Sequence, residues 1–133
     1  MARDLMALVA YLDIKLAEPH DFDRNCCVRF VLGAVEAQFG SAPDLGTTWR
    51  TEAGAKRALV KLGGIEAATD RLFRRIEPAR AQFGDIAGVV DSEGFFHVMV
   101  VEGQTLCSPG ERRLERVSRR EMIAAWSAEP LGE

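Results

Sequence analysis

Residues 26–39 read as a helix that is apolar on nearly every side, and a helix of that kind has to be buried. The run is Cys26-Cys27-Val28-Arg29-Phe30-Val31-Leu32-Gly33-Ala34-Val35-Glu36-Ala37-Gln38-Phe39, stopped by Gly40. Whatever this chain folds into must wrap other elements around that rod. Asn25 precedes it and is a good N-cap, because its side-chain oxygen can accept an orphan amide proton of the first turn. That predicts Cys26 at the first helical position. A thiol there feels the positive end of the helix dipole, which favours thiolate. Cys27 lies one step on, about 100° round the helix, and is expected to pack into the core.

The other elements follow from periodicity and punctuation. Leu5, Leu8, Val9, Leu12 and Leu16 recur three and four apart, which predicts a helix over residues 4–16 with that face on the core. Glu18-Pro19 ends it. Residues 20–24 form a polar approach loop with one aromatic, Phe22. An amphipathic helix is predicted over 51–62, capped by Thr51 and closed by Gly63-Gly64. A short helix is predicted from Ile65 to Phe73, with Asp70, Arg71, Arg74 and Arg75 as a solvated face.

The period then changes. Residues 86–90, 95–101, 105–108 and 114–117 are β-prone runs separated by turn residues around Gly94, Gly103 and Pro109-Gly110. Ser118 would cap a last helix over Arg119–Trp126, burying Met122, Ile123 and Trp126. Helices first and an antiparallel meander afterwards make an α+β fold.

The 133 residues suit one domain, 1–133. A formal charge of −3 gives no basic excess for phosphates, so no nucleic-acid partner is expected. No run of about 18 apolar residues predicts a membrane span. The start, Met1 to Ala10, has a weak leader-like look, but Asp13 and Lys15 follow at once, so export by that route is not expected. The three cysteines show no metal-ligand spacing, and no metal or cofactor is expected. Free thiols in a reducing cytosol are the plain reading.

Candidate chemistry rests on Cys26 and His97. A thiol at a helix amino end, with a histidine on a following strand, is the constellation of a cysteine hydrolase. The imidazole would take the thiol proton and return it to the leaving amine. The backbone N–H of Cys26 or Cys27 would face the oxyanion. The bland alternatives are a buried inert thiol and a half-buried imidazole satisfied by the backbone. Cys107 reads as a strand residue without chemistry, and Asp85 as a turn cap. Arg112, Arg113, Arg116, Arg119 and Arg120 form a basic cluster that reads as solubility, or more weakly as contact with an acidic protein.

Residues 19–26, Pro-His-Asp-Phe-Asp-Arg-Asn-Cys, resemble the motif that opens the central helix of NlpC-type cell-wall peptidases. Gly84-Asp85-Ile86 and His97-Val98-Met99-Val100-Val101 resemble two strand motifs of that superfamily, in the same order. The paired cysteines, Arg50–Ala55 and Ala124-Ala125-Trp126 are similar to a small branch from proteobacterial phages and prophages. The resemblance implies a papain-like fold and a Cys26/His97 peptidase acting on peptidoglycan stem peptides. It implies a place at a virion tail tip or baseplate, after synthesis in the bacterial cytoplasm, with tail hub and tip proteins as partners. The alternative it allows is a catalytically silent structural or assembly component of that tail. Asn25 stands where the superfamily has aspartate, Asp23 where it has glycine, and Cys27 where it has serine. The superfamily's third polar residue would fall near Cys107, with Gln104, Thr105 and Ser108 as open choices.

Overall fold

Caps settle the first half of the chain. The computed structural model describes residues 3–131; residues 1–2 and 132–133, the ends of the expected domain and the first residues of the leader-like run, lie outside them. Helix α1 spans Leu5–Lys15, and the Asp4 carboxylate accepts from the Ala7 amide at its mouth. Helix α2 spans Cys27–Phe39 and ends where Gly40 turns left-handed at φ 84°. Helix α3 spans Glu52–Lys61, capped by the Thr51 hydroxyl as expected. Helix α4 spans Ile65–Leu72, after a turn through Gly63 and Gly64.

Six strands follow among the described residues: β1 Phe73–Ile76, β2 Ile86–Val90, β3 Phe96–Glu102, β4 Thr105–Pro109, β5 Leu114–Ser118 and β6 Ala124–Pro130. They form one antiparallel sheet in the order β1-β6-β2-β3-β4-β5. The fold is α+β. The meander β2 to β5 lies where the sequence places it.

Alternation along the strands sorts the core into two layers. Ile86, Val98, Val100, Cys107, Ala124, Trp126 and Ala128 share a cluster with Phe30, Val31, Ala34 and Val35 of α2. Ala87, Val89, Met99, Val101, Leu106 and Ala125 form the opposite layer, covered in part by Ala81 and Met122. Gly88 has no Cβ because one would stand 2.5 Å from the Phe96 ring. That close approach lets Phe96 meet Trp126 edge-on at 6.3 Å.

The structure corrects four expectations. The last helix is absent: Ser118 caps only a single 3-10 turn, Arg119–Glu121, and the chain then enters β6. Alanine favours helix intrinsically, but here small residues fill a strand flanked on both sides by β1 and β2. Ile123, expected to be buried, is exposed. Second, Phe73 opens a strand rather than closing a helix. Asp70, Arg71, Arg74 and Arg75 are exposed, as expected of a solvated face; within it Arg75 Nε and Nη2 donate to the Asp70 carboxylate, and Nη2 also reaches Glu66. The Arg75 guanidinium lies over the Trp126 ring at 4.8 Å, and the Trp126 indole N–H donates to Asp70. The Arg75 hydrogen bond, ahead of the Trp126 one, holds the Asp70 carboxyl below the usual range.

Third, α1 buries Leu8 and Leu12 but leaves Leu5, Val9 and Leu16 exposed. Fourth, α2 begins one residue late. Cys26 is the N-cap, in extended conformation, and Cys27 is the first helical residue.

Two residues of the basic cluster have structural partners. Arg116 pairs with Glu102, and Arg119 donates to the carbonyls of Gly103, Pro78 and Ala81. No helix of the described residues is long and apolar enough to cross a membrane.

Candidate functional site

The approach loop folds back on itself before α2. Asp21 and Asn25 exchange backbone hydrogen bonds, and Asp21 Oδ1 accepts from the Asp23 and Arg24 amides. Asn25 is not the cap. Its side chain is buried and its Nδ2 donates to the Glu18 and Pro19 carbonyls at 3.3 and 3.0 Å, while Oδ1 has no protein partner. Two facing carbonyls require a donor, so the amide is needed where the resembling family carries a carboxylate.

Asn25→Asp should therefore cost about 3 kcal/mol at pH 7, because a buried carboxylate would face two carbonyl oxygens. The introduced carboxyl would have a folded-state pKa raised above its unfolded value of about 3.9. Its penalty is smallest below the unfolded value and grows as pH rises towards the folded one. Thermal melts at pH 4 and pH 7 check this; an equal loss at both would overturn it.

No side chain caps α2, so its first-turn amides are not taken up by a capping group. Cys26 is only 5% exposed and shares a small apolar cluster with Trp49, Ala55 and Ala58, against which Phe22 and Val28 pack. Cys27 is half-buried as a residue, yet its sulfur is desolvated. Burial pushes the Cys27 thiol up to about 11, against the opposing pull of the amides of Val98, Val28 and Cys27 itself. Desolvation outweighs the helix end here, so Cys27 is a neutral thiol near pH 7. Cys107 is fully buried in β4, where burial pushes its thiol up to about 12, as suits a residue without chemistry.

His97 comes from β3. Its strand position places it with Met99, on the face away from the aliphatic stripe of α2. At this end, however, the sheet is open. β4 pairs with β3 only over Val100–Glu102, so residues 96–99 have a strand neighbour on the β2 side alone. The mouth of α2 approaches this stretch, since Cys27 and Val28 pack against the cluster that contains Val98.

An open cleft of about 430 Å³ results, lined by Cys26, Cys27, Trp49, Asp91 and His97 among others. His97 also lines a second cleft on the opposite face, with Val89, Met99 and Glu115. The imidazole therefore stands at the rim between the two. The structure brings Cys26 and His97 to one cleft, with no hydrogen bond between either thiol and the imidazole among the described residues.

The hydrogen-bond partner of His97 is Asp91, which sequence reasoning treated as a turn residue. Nε2 of His97 lies 2.7 Å from Asp91 Oδ2. Asp91 Oδ1 accepts from the Glu93 and Phe95 amides at 2.9 Å each. The Phe95 N–H first, and then His97, hold the Asp91 carboxyl below its ordinary range. The residues near Cys107 do not take this part. Thr105 donates to Glu102, the Gln104 carbonyl accepts from Arg119, and Ser108 lines the cleft while the imidazole bonds to Asp91. The signal that could have found Asp91 is its spacing: a carboxylate opening a tight turn, with a histidine three residues past the turn's glycine.

Asp85 is buried and fully bonded rather than a simple turn cap. Oδ1 accepts from Arg3 Nη2 and the Ala128 amide, and Oδ2 from the Gln82 amide. No group of acidic, histidine or cysteine side chains among the described residues could hold a metal ion.

The model of a family described as a domain of unknown function, DUF6950, matches residues 4–128. No curated protein matches the chain.

Proposed function

The chain belongs to the DUF6950 family, and from that premise and the cleft we propose that it is a papain-like thiol hydrolase that cleaves amide bonds. One observation carries the reading: the Asp91 carboxylate holds the Nε2 side of His97, in a cleft that also contains the helix-end thiols. A carboxylate accepts the Nε2 proton, which leaves Nδ1 with its lone pair. Nδ1 is then the site that takes the proton of Cys26. The thiolate attacks the amide carbonyl, and the resulting imidazolium protonates the leaving amine. Cys26 is assigned as nucleophile from its place as the N-cap at the open end of α2, within the cleft that His97 lines.

The peptidoglycan stem peptide as substrate, and the phage tail tip with its hub proteins as setting, rest on the resemblance of residues 19–26, 84–86 and 97–101. The test is release of free amines from purified peptidoglycan, with Cys26→Ala as control. Wild type should release amines and Cys26→Ala should lose at least 10³-fold of that rate. Iodoacetamide near pH 7 should label Cys26 faster than Cys107.

A second reading, a silent assembly component of such a tail, is favoured by one observation: Cys26 is 5% exposed, within an apolar cluster. Unchanged peptidoglycan, together with equally slow labelling of Cys26 and Cys107, would leave that reading standing and remove the hydrolase.

A further inference from the structure

We propose that the indole N–H of Trp49 is a hydrogen-bond donor to the oxyanion formed when Cys26 attacks a carbonyl; this rests on the hydrolase reading above. Trp49 is 5% exposed, and its Nε1 has no acceptor in the protein. A buried donor left unpaired costs about 1–3 kcal/mol, so its retention beside a cleft points to an acceptor that arrives with a ligand. Trp49 lines the cleft and shares the apolar cluster of Cys26. The other tryptophan is unlike it, since the Trp126 indole already donates to Asp70 at 2.8 Å.

Arg29 fixes the tryptophan. Arg29 Nη2 donates to the Trp49 carbonyl at 2.7 Å and to Thr48 Oγ1 at 2.9 Å, and its guanidinium lies over the Trp49 ring at 5.0 Å. A cation on the face of the ring draws electron density from it and strengthens the N–H as a donor. The indole itself is neutral, so this donor gains most from the substrate at the moment its oxygen becomes anionic.

In the step itself, the Cys26 thiolate forms an S–C bond to the carbonyl carbon. The C=O π pair moves to oxygen, which accepts from Trp49 Nε1–H. Collapse restores the carbonyl and breaks the C–N bond, and the amine leaves with the proton from His97. Water then hydrolyses the thioester.

Two measurements test this. Trp49→Phe should lower kcat for amine release from purified peptidoglycan by about 10²-fold, with KM and the rate of Cys26 alkylation by iodoacetamide each within twofold. In wild-type protein labelled with 15N-tryptophan, the thiohemiacetal formed with acetyl-alanyl-alaninal should move the Trp49 indole proton downfield and leave that of Trp126 in place. Retained kcat in a folded Trp49→Phe variant would overturn the assignment. So would an unmoved Trp49 resonance in protein whose mass shows the aldehyde adduct on Cys26; that resonance needs no variant to fold. Absence of both adduct and amine release would instead remove the hydrolase reading, and this donor with it.

Discussion

Asp85→Ala should destabilise the protein by about 3–5 kcal/mol, the usual cost of removing one partner from a buried ionic group. The carboxylate is 2% exposed and serves three donors from separate parts of the chain. Arg3 comes from ahead of α1, Gln82 from the loop before β2, and Ala128 from β6. Truncation leaves the Ala128 amide buried without its acceptor and the Arg3 guanidinium without its counter-charge. Arg3 keeps a route to water, with 20% of its side chain accessible, so the main loss falls on the β6 amide and on the loop. Urea unfolding at constant m should report the change as a lower midpoint. A loss under about 1 kcal/mol, the net value of an ordinary hydrogen bond, would mean that the three donors find other partners.

Asp91→Asn should leave the fold intact and lower amide hydrolysis by about 10²- to 10⁴-fold, the range seen when a catalytic imidazole loses its carboxylate. Asparagine can keep its oxygen on the Glu93 and Phe95 amides, so the turn survives. That choice points its NH₂ group at His97 Nε2. Nε2 must then accept, and the ring proton moves to Nδ1, the nitrogen that should receive a proton from the thiol. The substitution therefore reverses the tautomer rather than merely weakening a contact. 15N shifts of the imidazole nitrogens read this without any substrate, and circular dichroism checks the fold. Unchanged imidazole shifts would show that Asp91 does not set the tautomer. Reversed shifts with unchanged hydrolysis would place the chemistry on another group.

The elements that could be read from the sequence are those with local punctuation. Thr51 and the Gly63-Gly64 pair mark α3, Gly40 stops α2, and Gly94 and Gly103 divide the meander. The pairing of β1 with β6 could not be read this way. Ala124-Ala125-Trp126-Ser127-Ala128 has helical composition, and its strand state comes from neighbours that lie 36 or more positions earlier in the chain. The one-residue shift at α2 has a similar cause. Asn25 has good capping chemistry, but two carbonyls of the preceding loop claim its amide.

The site divides along the same line. Cys26 and His97 stand out by residue type, and the fold brings both to one cleft. Asp91 was hidden because aspartate before a turn has an ordinary local explanation, which it also fulfils through Oδ1. Only its second oxygen, aimed across the hairpin, gives it another role. The search for a third residue near Cys107 failed for a plain reason: Gln104 and Thr105 are at the far end of β3 from His97.

The place of β6 in the sheet has a consequence for biosynthesis. This strand follows the other five along the chain, yet it separates β1 from β2. While residues 124–130 are still inside the exit tunnel, the α4–β1 unit has no neighbour to pair with. The nascent protein therefore carries a gap in its sheet and an uncovered apolar layer until β6 emerges, an interval in which chaperones have a ready target.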